Sequence, residues 1–600
     1  MTLMPLLKPR LVKPFFTFDI EAENWKDFRL CGIYDGKDYL RFTSMDELAD
    51  FMFSKPRRDM IGYAHNLAYD GMFILDHILN VRTDLSAKPI INGSKILSIS
   101  VSDRNKHKWI LRDSLSLLPE SLKKLTEDFD VLHKKLDEDE KGMIMNEQYN
   151  MNDCMGLHEV LMKFFATLEM KAGLTTAQTA LMNYREKFML HPIKSVQEHE
   201  IEIREAYKGA RCEIFRFNFN AHRKFYYYDV NSLYPHCLRD YEYPYGEFNY
   251  AHPDIDAFGI SFVHVKEGAY MPHLPERIEG KLMFRDSGIG WKTGWYCNSE
   301  LRLLEDYYKG IIEIQPLMTL ECEEHDFIFR DFVDSWYNKR LAAKEQGNKT
   351  LNLVCKLMMN SLYGKFGQGR EKMETLINPE YIEDGMDMIE FGRNRIFQKP
   401  VQSKANHIIP SISAFTTAYA RSEMMRFYTY AGGVFYTDTD SLITSEYAFG
   451  KGSAELGKMK LEHELDSLVV LLPKIYYFRD ITTGQDEIKA KGVPFNYKAS
   501  AEEQKEMFIN YIRSQTIRNR RGLITFKRSM IHAKSHGLSS LLYQKDITRK
   551  LATYYDKRRI IPYMEDEGYW DTYPFKINED RAVNAKPFKE VLQYAVNTIS

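Results

Sequence analysis

One short stretch, Val434 to Ile443, limits the possible folds of this chain more than any other part of the sequence. Apolar residues run up to the triplet Asp438-Thr439-Asp440 and resume after it, which predicts a β-hairpin with two carboxylates at its tip. Carboxylates held so close repel each other, and burial adds to the cost unless a cation lies between them. Oxygen ligands of this kind suit Mg²⁺ or Mn²⁺. The alternative is an ordinary polar turn, because Asp and Thr are common in turns.

Length and composition set broad limits on the rest of the chain. The 600 residues predict several domains, since single cores rarely grow past about 250–300 residues. Lys plus Arg (82) nearly balances Asp plus Glu (84), so the global charge neither indicates nor excludes nucleic acid. The 7 cysteines are scattered and never spaced Cys-x-x-Cys, which indicates a reducing compartment and neither a disulfide framework nor a zinc site. We find no signal-peptide core and no apolar run of membrane-spanning length, so we expect a cytosolic protein without membrane contact.

Acidic residues recur in three stretches of the N-terminal part. Asp19 and Glu21 end an apolar strand at positions i and i+2, which places both carboxylates on one face. Asp70 and Asp153 each lie four residues after a polar partner, so each shares a face with that partner if its stretch is helical. Each stretch alone fits a solvated strand end or helix face as readily as a site. The ordered set predicts clustered carboxylates, which is the requirement for holding two metal ions.

A third candidate carboxylate for the hairpin site lies in the aromatic stretch Phe225 to Pro235. A β-rich run carries Asp229 to a strand end, where the chain turns toward Pro235. Asp229 could therefore join the two carboxylates of the hairpin. Tyr234 follows on the turn, and its alternative role is packing in an aromatic core.

Basic and polar residues share one face of a predicted helix further along the chain. Helical numbering puts Lys356, Asn360 and Tyr363 along one stripe, with Leu and Met residues behind it. Lys356 would meet an incoming triphosphate as a point charge, and Tyr363 would lie against the nascent base pair. Upstream, Arg340 and Lys344 stand at i and i+4, a spacing that suits gripping β- and γ-phosphates. Solvated surface charge is the alternative for both.

The last hundred residues are locally basic, although the whole chain is nearly neutral. This bias predicts a footprint for duplex phosphates, with a solvated basic helix face as the alternative. The residues are Arg513, Arg518, Arg520, Arg521, Lys527, Arg528, Lys534, Lys545, Arg549, Lys550, Lys557, Arg558 and Arg559.

Taken in order, these motifs resemble the family B DNA polymerases, and most closely the protein-primed branch from bacteriophages and linear plasmids. The three stretches Asp-x-x-Ser-Leu-Tyr-Pro, Lys-x-x-x-Asn-Ser-Leu-Tyr-Gly and Tyr-Thr-Asp-Thr-Asp-Ser occur in the order that the family requires. The resemblance runs from about residue 15 to about residue 530. The branch is indicated by the early first acidic motif and by two long segments between motifs, 246–328 and 368–406.

The resemblance implies a 3′–5′ proofreading exonuclease that uses the N-terminal acidic set. Its metal ligands would be Asp19, Glu21, Asp70 and Asp153, with Tyr149 orienting the attacking water. Lys134 could assist this site or could equally be surface charge. Ala22 stands where relatives often have Thr, so one hydroxyl contact to DNA is missing. The positions that would cradle the single-stranded 3′ end are Asn66, Phe73, Ser114 and Leu115.

The resemblance also implies a polymerase site with two Mg²⁺ or Mn²⁺ ions. Asp229 and Asp440 would bridge the ions, with Asp438 nearby and the carbonyl of Val230 facing a metal-bound triphosphate. Tyr234 would press against the sugar and exclude a 2′-hydroxyl, which selects deoxyribonucleotides. Five further residues would contact DNA: Tyr207 and Gly209 on the template strand, Lys474 and Tyr476 at the primer terminus, and Lys491 on the primer backbone.

The implied architecture is α/β and multidomain, a ribonuclease-H-like exonuclease followed by a right hand with two insertions. The partners would be template and primer DNA, deoxynucleoside triphosphates and a terminal protein as primer. The protein would be a monomer in the cytoplasm of an infected bacterial host, replicating viral or plasmid DNA with strand displacement. The alternatives are a nuclease whose second half only binds DNA, a catalytically silent scaffold, and an RNA-directed enzyme.

The resemblance also implies domain boundaries along the chain. They are 1–175 for the exonuclease, 176–245 for the first part of the palm, 246–328 for an insertion that contacts the terminal protein, 329–367 for the fingers, 368–406 for an insertion that serves strand displacement and processivity, 407–515 for the second part of the palm and 516–600 for the thumb.

Overall fold

The computed structural model describes most of the chain. The described residues are 1–6, 12–136, 147–195, 198–220, 223–288, 290–307, 312–382, 384–391, 394–493, 495–496, 499–523, 525–536, 540–551, 559–561, 568–575 and 585–600.

Three sheets of four or more strands organise the described residues, and helices pack around them, so the predicted α/β multidomain class is confirmed. Over this described part, no helix is both long and apolar enough to cross a membrane. The helices are Met45–Met52, Leu67–Asn80, Leu122–Asp128, Glu147–Leu168, Thr176–Lys187, Glu200–Ala206, Leu233–Asp240, Asn298–Tyr307, Arg330–Glu345, Lys349–Ser361, Tyr363–Phe366, Pro410–Ala431, Ala501–Ser514, Phe526–His536 and Ala585–Ile599, with a 3₁₀ turn at Lys55–Arg57.

The largest sheet contains the N-terminal acidic strand. Its strand Phe15–Glu23 pairs in parallel with Ile61–Ala64 and antiparallel with Asp27–Tyr34. Strands from the predicted second insertion extend the same sheet at its far edge, where Ile377 pairs with Ala87. In spatial order the strands are Asp387–Phe391, Asn394–Gln402, Glu371–Ile377, Leu85–Asn92, Lys95–Asp103, Lys108–Asp113, Ile61–Ala64, Phe15–Glu23, Asp27–Tyr34 and Tyr39–Phe42.

A second sheet is antiparallel throughout and contains the Asp-Thr-Asp hairpin. The strands Val434–Asp438 and Ser441–Thr444 form that hairpin, which confirms the prediction from the apolar pattern. Phe225–Val230 lies beside it, and one face of the sheet packs on a separate apolar core. In spatial order the strands are Cys212–Ile214, Val434–Asp438, Ser441–Thr444, Phe225–Val230, Met459–Leu472, Ile475–Asp480 and Asp486–Ala490.

A third, four-stranded sheet lies within the predicted first insertion. Its strands in order are Asn249–Ala251, Ile312–Glu321, Gly259–Glu267 and Lys292–Cys297. The remaining described strands form two-stranded pairs: Thr2–Leu3 with Ile193–Lys194, Arg216–Asn218 with Tyr569–Asp571, Tyr243–Pro244 with His325–Asp326, Glu276–Ile278 with Lys281–Met283, Thr516–Leu523 with Gln544–Lys550, and Arg559–Ile560 with Tyr573–Pro574.

The helix Pro410–Ala431 links these parts, because nearly all of its faces are buried. It packs against Glu200–Ala206, Leu233–Asp240 and Asn298–Tyr307. Apolar, hydroxyl and charged side chains are all buried along it, so the helix is enclosed in the protein rather than lying at the surface. This helix therefore fixes the four-stranded sheet and the hairpin sheet relative to each other.

Candidate active sites

The hairpin tip and the neighbouring strand end bring three carboxylates to one end of the second sheet. Asp438 and Ser441 pair across a two-residue turn, and Asp229 pairs with Ser441 from the other side. Thr439 is in the left-handed region, with φ of 67°. The N–H of Val230 donates to the carbonyl of Asp440 at 2.8 Å. The predicted meeting of the carboxylates of the two stretches is therefore present in the structure.

Two of these carboxylates, those of Asp229 and Asp440, lie in an environment that disfavours their ionisation. Burial, and then the charge of Asp440, raise the pKa of Asp229 to about 7. Burial likewise raises the pKa of Asp440 to about 6, with a further contribution from Asp438. Lys474 forms an ion pair with Asp438. The positive charge of Lys356 lowers the pKa of Asp229, which opposes the effect of burial. Only part of the negative charge at this site is therefore balanced by protein groups.

The N-terminal acidic residues also lie near one another, at one end of the largest sheet. The N–H of Ile20 donates to Asp70 Oδ1 at 2.8 Å, so the helix that carries Asp70 is bonded to the acidic strand. Asn150 Nδ2 donates to Asp19 Oδ2 at 2.9 Å. Burial, and then the charge of Glu21, raise the pKa of Asp19 to about 8. Burial and Asp19 raise the pKa of Asp70 as well.

A lysine does enter this acidic site, but it is the neighbour of the residue considered from the sequence. Lys135 forms an ion pair with Asp153, and its Nζ lies 4.4 Å from the ring centroid of Tyr149. Lys134 points to solvent, where its Nζ is 3.6 Å from Asp130 Oδ1. The structure therefore places Lys134 at the surface, as the alternative interpretation expects, and its lack of a role in the site stays a prediction. Lys135 and Asn150 are the residues of this site that the motifs did not identify.

The donor chemistry of both sites fits a divalent cation. In the part of the chain that the structure describes, no three ligating side chains already converge on one point. Lys135 and Lys474 instead contact one carboxylate of each set. Asp70 Oδ2 is buried and has no hydrogen-bond partner, and burial raises the pKa of Asp19 beside it and of Asp229 in the other set. Buried, uncompensated carboxylate oxygens are the ligands that Mg²⁺ and Mn²⁺ take.

The predicted nucleotide-contacting residues lie on four helices near the hairpin. Tyr234 and Tyr363 stack, with ring centroids 4.3 Å apart and an interplanar angle of 23°. Arg340 Nη1 donates to Ser232 Oγ at 3.2 Å, one residue before the helix of Tyr234 begins. Lys344, Lys356 and Asn360 are exposed.

Three of the predicted DNA contacts lie inside the protein and do not present a surface. Phe73 is 2% exposed in the core of the large sheet, because its helix turns that face inward. Ser114 is fully buried, where its Oγ donates to the carbonyl of Ala64 at 2.9 Å. Tyr476 is 6% exposed and packs 5.4 Å from Tyr436. These side chains pack in the protein core, so the structure contradicts the prediction that they contact DNA.

The other predicted DNA contacts are at least partly accessible. Asn66 is exposed and begins the helix Leu67–Asn80 in the left-handed region, and Leu115 is half-buried. Tyr207 and Gly209 are half-buried on the segment after the helix Glu200–Ala206. Lys491 is exposed, and its N–H donates to the carbonyl of Lys474 at 3.0 Å.

A buried ion pair that the sequence did not reveal supports the segment carrying Tyr207 and Gly209. Arg421 makes a two-pronged pair with Glu300, both contacts at 2.7 Å, and neither side chain is accessible. Arg421 also donates to the carbonyls of Lys208 and Gly209. Further along the same segment, the carbonyl of Arg211 accepts from the N–H of Thr439, at 2.9 Å. The ion pair is thus connected to the turn between the hairpin carboxylates.

The basic C-terminal set is partly a surface and partly core. Lys557 and Arg558 lie outside the described residues, as do the side chains of Arg518, Arg520, Arg521, Lys534 and Lys545. Arg559 is fully buried, donates to Thr572 Oγ1 at 2.7 Å and cannot bind phosphate there. The others, all exposed, are Arg513, Lys527, Arg528, Arg549 and Lys550.

Comparison with known proteins places the chain in a family. It matches the model described as DNA polymerase type B, organellar and viral, over residues 52–143 and 132–432, and so belongs to that family. The DNA-directed DNA polymerase of Enterobacteria phage PRD1 is 28% identical over 482 residues, covering 76% of this chain and 82% of the relative. The DNA polymerase of Bacillus phage phi29 is 25% identical over 452 residues, covering 68% and 75%. The assignment made from the motifs, to the protein-primed branch of family B, is confirmed.

Two further similarities bear on length and fold. A probable DNA polymerase of Neurospora intermedia is 28% identical over 513 residues, which cover 69% of this chain and 51% of that relative. The solved structure of phi29 DNA polymerase with primer-template DNA and incoming nucleotides has a TM-score of 0.67 at 18% identity. The alignment covers 90% of this chain and 100% of that one. The fold of the chain is therefore that of a multidomain α/β polymerase.

Proposed function

We propose that this chain is a DNA-directed DNA polymerase that also removes nucleotides from a 3′ end, with the two activities in separate sites. The observation that carries the proposal is the presence of two carboxylate sets on two different sheets, one around Asp440 and one around Asp19. Family membership supports the first activity. The second rests on the acidic set and its lysine.

For synthesis, we assign Asp229, Asp438 and Asp440 to two Mg²⁺ or Mn²⁺ ions, with the carbonyl of Val230 beside them. Bound ions would activate the primer 3′-hydroxyl and balance the charge that develops on the departing pyrophosphate. The exposed Lys356 is assigned to the triphosphate of the incoming nucleotide.

The other residues of the synthesis site bind and orient the substrates. We assign Arg340 and Lys344 to the outer phosphates, and Asn360 with Tyr363 to the nascent base pair. Tyr234, stacked on Tyr363, would occupy the space of a 2′-hydroxyl and so select deoxyribonucleotides. Stacking on Tyr363 limits the movement of the Tyr234 ring, and selection of the sugar by shape requires a ring that stays in place.

For the nuclease, we assign Asp19, Glu21, Asp70 and Asp153 as metal ligands. Tyr149 would orient the attacking water, and Lys135 beside it would hold both Tyr149 and Asp153 in place. We assign the largest sheet to a ribonuclease-H-like exonuclease domain. The hairpin sheet is assigned to the palm, Arg330–Glu345 and Lys349–Ser361 to the fingers, and the C-terminal residues to the thumb.

The partners follow from the same assignment. Template and primer DNA with deoxynucleoside triphosphates are the substrates, as the phi29 polymerase complex with primer-template DNA and incoming nucleotides suggests by analogy. We propose a terminal protein as the primer, strand displacement supported by the two insertions, and action as a monomer in the cytoplasm of an infected bacterium.

Extension of one primer on a single-stranded DNA circle in the presence of Mg²⁺ tests the proposal. We expect products many times longer than the circle from the unsubstituted protein. Asp440→Ala should abolish synthesis and spare degradation of a labelled single strand, because it removes a ligand of only one site. Asp19→Ala combined with Glu21→Ala should do the reverse. Equal loss of both activities in either variant would contradict two separate sites.

The outcomes also separate the alternative functions. Synthesis that ends after one circuit of the template would support the polymerase assignment and contradict strand displacement. Degradation without synthesis by folded protein would favour a nuclease whose second half only binds DNA. Absence of both activities would favour a scaffold.

A further inference from the structure

One large aromatic side chain beside the N-terminal acidic set has no role in the assignments above. Trp25 lies in the turn between the strands Phe15–Glu23 and Asp27–Tyr34, and its residue is 52% exposed. Glu23 pairs with Asp27 across this turn, so Trp25 projects just beyond the strand that carries Asp19 and Glu21. Large aromatic groups are among the residues that a fold ordinarily covers.

The backbone at this turn is one that a tryptophan rarely adopts. Asn24 and Trp25 both have left-handed φ values, 50° and 64°. Asn tolerates this region, whereas a bulky side chain is disfavoured there by contact between its Cβ and the backbone. Disfavoured backbone geometry at an exposed residue is a reason to look for a function at that residue.

The ring of Trp25 extends an aromatic row that leads out of the core toward the carboxylates. Phe73, in the core, lies 5.4 Å from Tyr69, and Tyr69 lies 6.1 Å from Trp25 in an edge-to-face arrangement at 88°. Tyr69 directly precedes Asp70 on the helix Leu67–Asn80, and Asp70 accepts a hydrogen bond from the N–H of Ile20 on the acidic strand, so this ring adjoins the acidic set. The indole of Trp25 therefore contacts the ring that adjoins the acidic set, and its exposed part faces solvent.

We propose that Trp25 is a stacking surface for a base in the last two nucleotides of a single-stranded 3′ end bound at the acidic site. Single strands are bound by aromatic faces next to cationic groups, because every base has a stacking face and every linkage a negative charge. The turn supplies both, since the exposed Lys26 follows Trp25 directly. This inference rests on the proposed exonuclease, and it assigns the stacking role that the buried Phe73 cannot fulfil.

The test is a binding measurement in a protein that cannot degrade its ligand. The background is the variant with Asp19→Ala and Glu21→Ala, and the probe is a short oligothymidylate with 2-aminopurine as its terminal or penultimate 3′ base. Stacking on an indole quenches 2-aminopurine, and anisotropy of the same probe reports its affinity. We expect quenching at one of the two positions, and its loss when Trp25→Ala is added.

The affinity change should be large and specific to single strands. Removing one base–aromatic stack should weaken probe binding about 5- to 150-fold, while Trp25→Phe should retain most of the affinity. Tyr430→Ala is the matched control, because Tyr430 is 71% exposed but packs against Phe449. Primer extension by Trp25→Ala should equal that of the unsubstituted protein, which also shows that the variant folds.

The result that overturns the proposal is unchanged probe affinity and unchanged quenching in Trp25→Ala. Failure of the proposed exonuclease is a different observation, namely that the unsubstituted protein leaves a labelled single strand intact. If the unsubstituted protein degrades the strand and Trp25→Ala binds it normally, the exonuclease is supported and the role proposed for Trp25 is refuted.

Discussion

The buried ion pair between Glu300 and Arg421 offers a sharp test of how this fold supports its hairpin site. Glu300 lies on the helix Asn298–Tyr307, within the predicted first insertion, and Arg421 lies on the enclosed helix Pro410–Ala431. The substitution Glu300→Gln keeps the shape of the side chain and removes its charge. It leaves the guanidinium of Arg421 buried without a counter-charge of equal strength.

The size of the effect follows from the charge environment of Glu300. Burial opposes its ionisation, but the charge and hydrogen bonds of Arg421 outweigh burial and lower the pKa of Glu300 to about 2. Compared with an ordinary glutamate, that lowering corresponds to ~3 kcal/mol. Breaking one side of a buried pair costs about 3–5 kcal/mol, the same order. This stabilisation is fully present at neutral pH and is lost only as the pH falls toward 2.

Thermal unfolding at pH 7 measures this loss. A destabilisation of ~3 kcal/mol should lower the melting temperature of the affected domain by about 6–12 °C. Glu305→Gln is the matched control, since Glu305 is an exposed glutamate on the same helix and should shift the melting temperature very little. If Glu300→Gln melts within about 1 °C of the control, the ion pair does not stabilise the fold as the structure indicates.

The same substitution should affect the two activities unequally. Arg421 holds the carbonyls of Lys208 and Gly209, and the carbonyl of Arg211 holds Thr439 between the hairpin carboxylates. Below its melting temperature, Glu300→Gln should therefore lose primer extension while retaining degradation of a single strand. Equal loss of both activities would show a general defect in folding and refute this connection.

Two further predictions concern single residues of the carboxylate sets. Lys135→Met should reduce single-strand degradation about 10–100-fold and spare synthesis, whereas Lys134→Met should change neither activity. Reduced single-strand degradation by Lys134→Met would instead support a role for Lys134 in assisting the acidic site. In EDTA, Asp229→Asn should gain stability over the unsubstituted protein between pH 4 and pH 7, by up to ~4 kcal/mol. The reason is that the raised pKa of Asp229, about 7, makes its ionisation in the folded state costly over that range. Melting curves at several pH values check this, and a difference that does not grow with pH would contradict it.

Local pattern was sufficient to predict the elements that carry the two sites. The hairpin at Asp438 and Asp440, the acidic strand of Asp19 and the helix of Lys356 all follow from alternation or helical spacing within a dozen residues. Such periodicities are set by the backbone geometry of strands and helices and need no long-range information.

The residues that the sequence did not reveal are those whose role depends on distant partners. Lys134 and Lys135 are adjacent in the sequence, and only the position of Asp153 on the following helix decides which of them enters the site. The family resemblance predicts a DNA contact at Phe73, yet the sheet behind its helix buries this side chain. Arg559 is one of many basic C-terminal residues until its contact with Thr572 distinguishes it.

The energetics of the two acidic sets favour the proposed divalent cations. Asp19, with a pKa of about 8, and Asp229, with a pKa of about 7, are each several pH units above an ordinary aspartate. Keeping either one ionised at neutral pH costs the folded chain a few kcal/mol, at ~1.4 kcal/mol per pH unit. Asparagine at these positions would keep the shape without that cost. Lys135 and Lys474 each form an ion pair with one carboxylate of a set, whereas the effect of nearby cations on Asp19 and Asp229 is smaller than that of burial. A bound divalent cation removes this cost, so adding Mg²⁺ should raise the melting temperature of the unsubstituted protein more than that of Asp229→Asn.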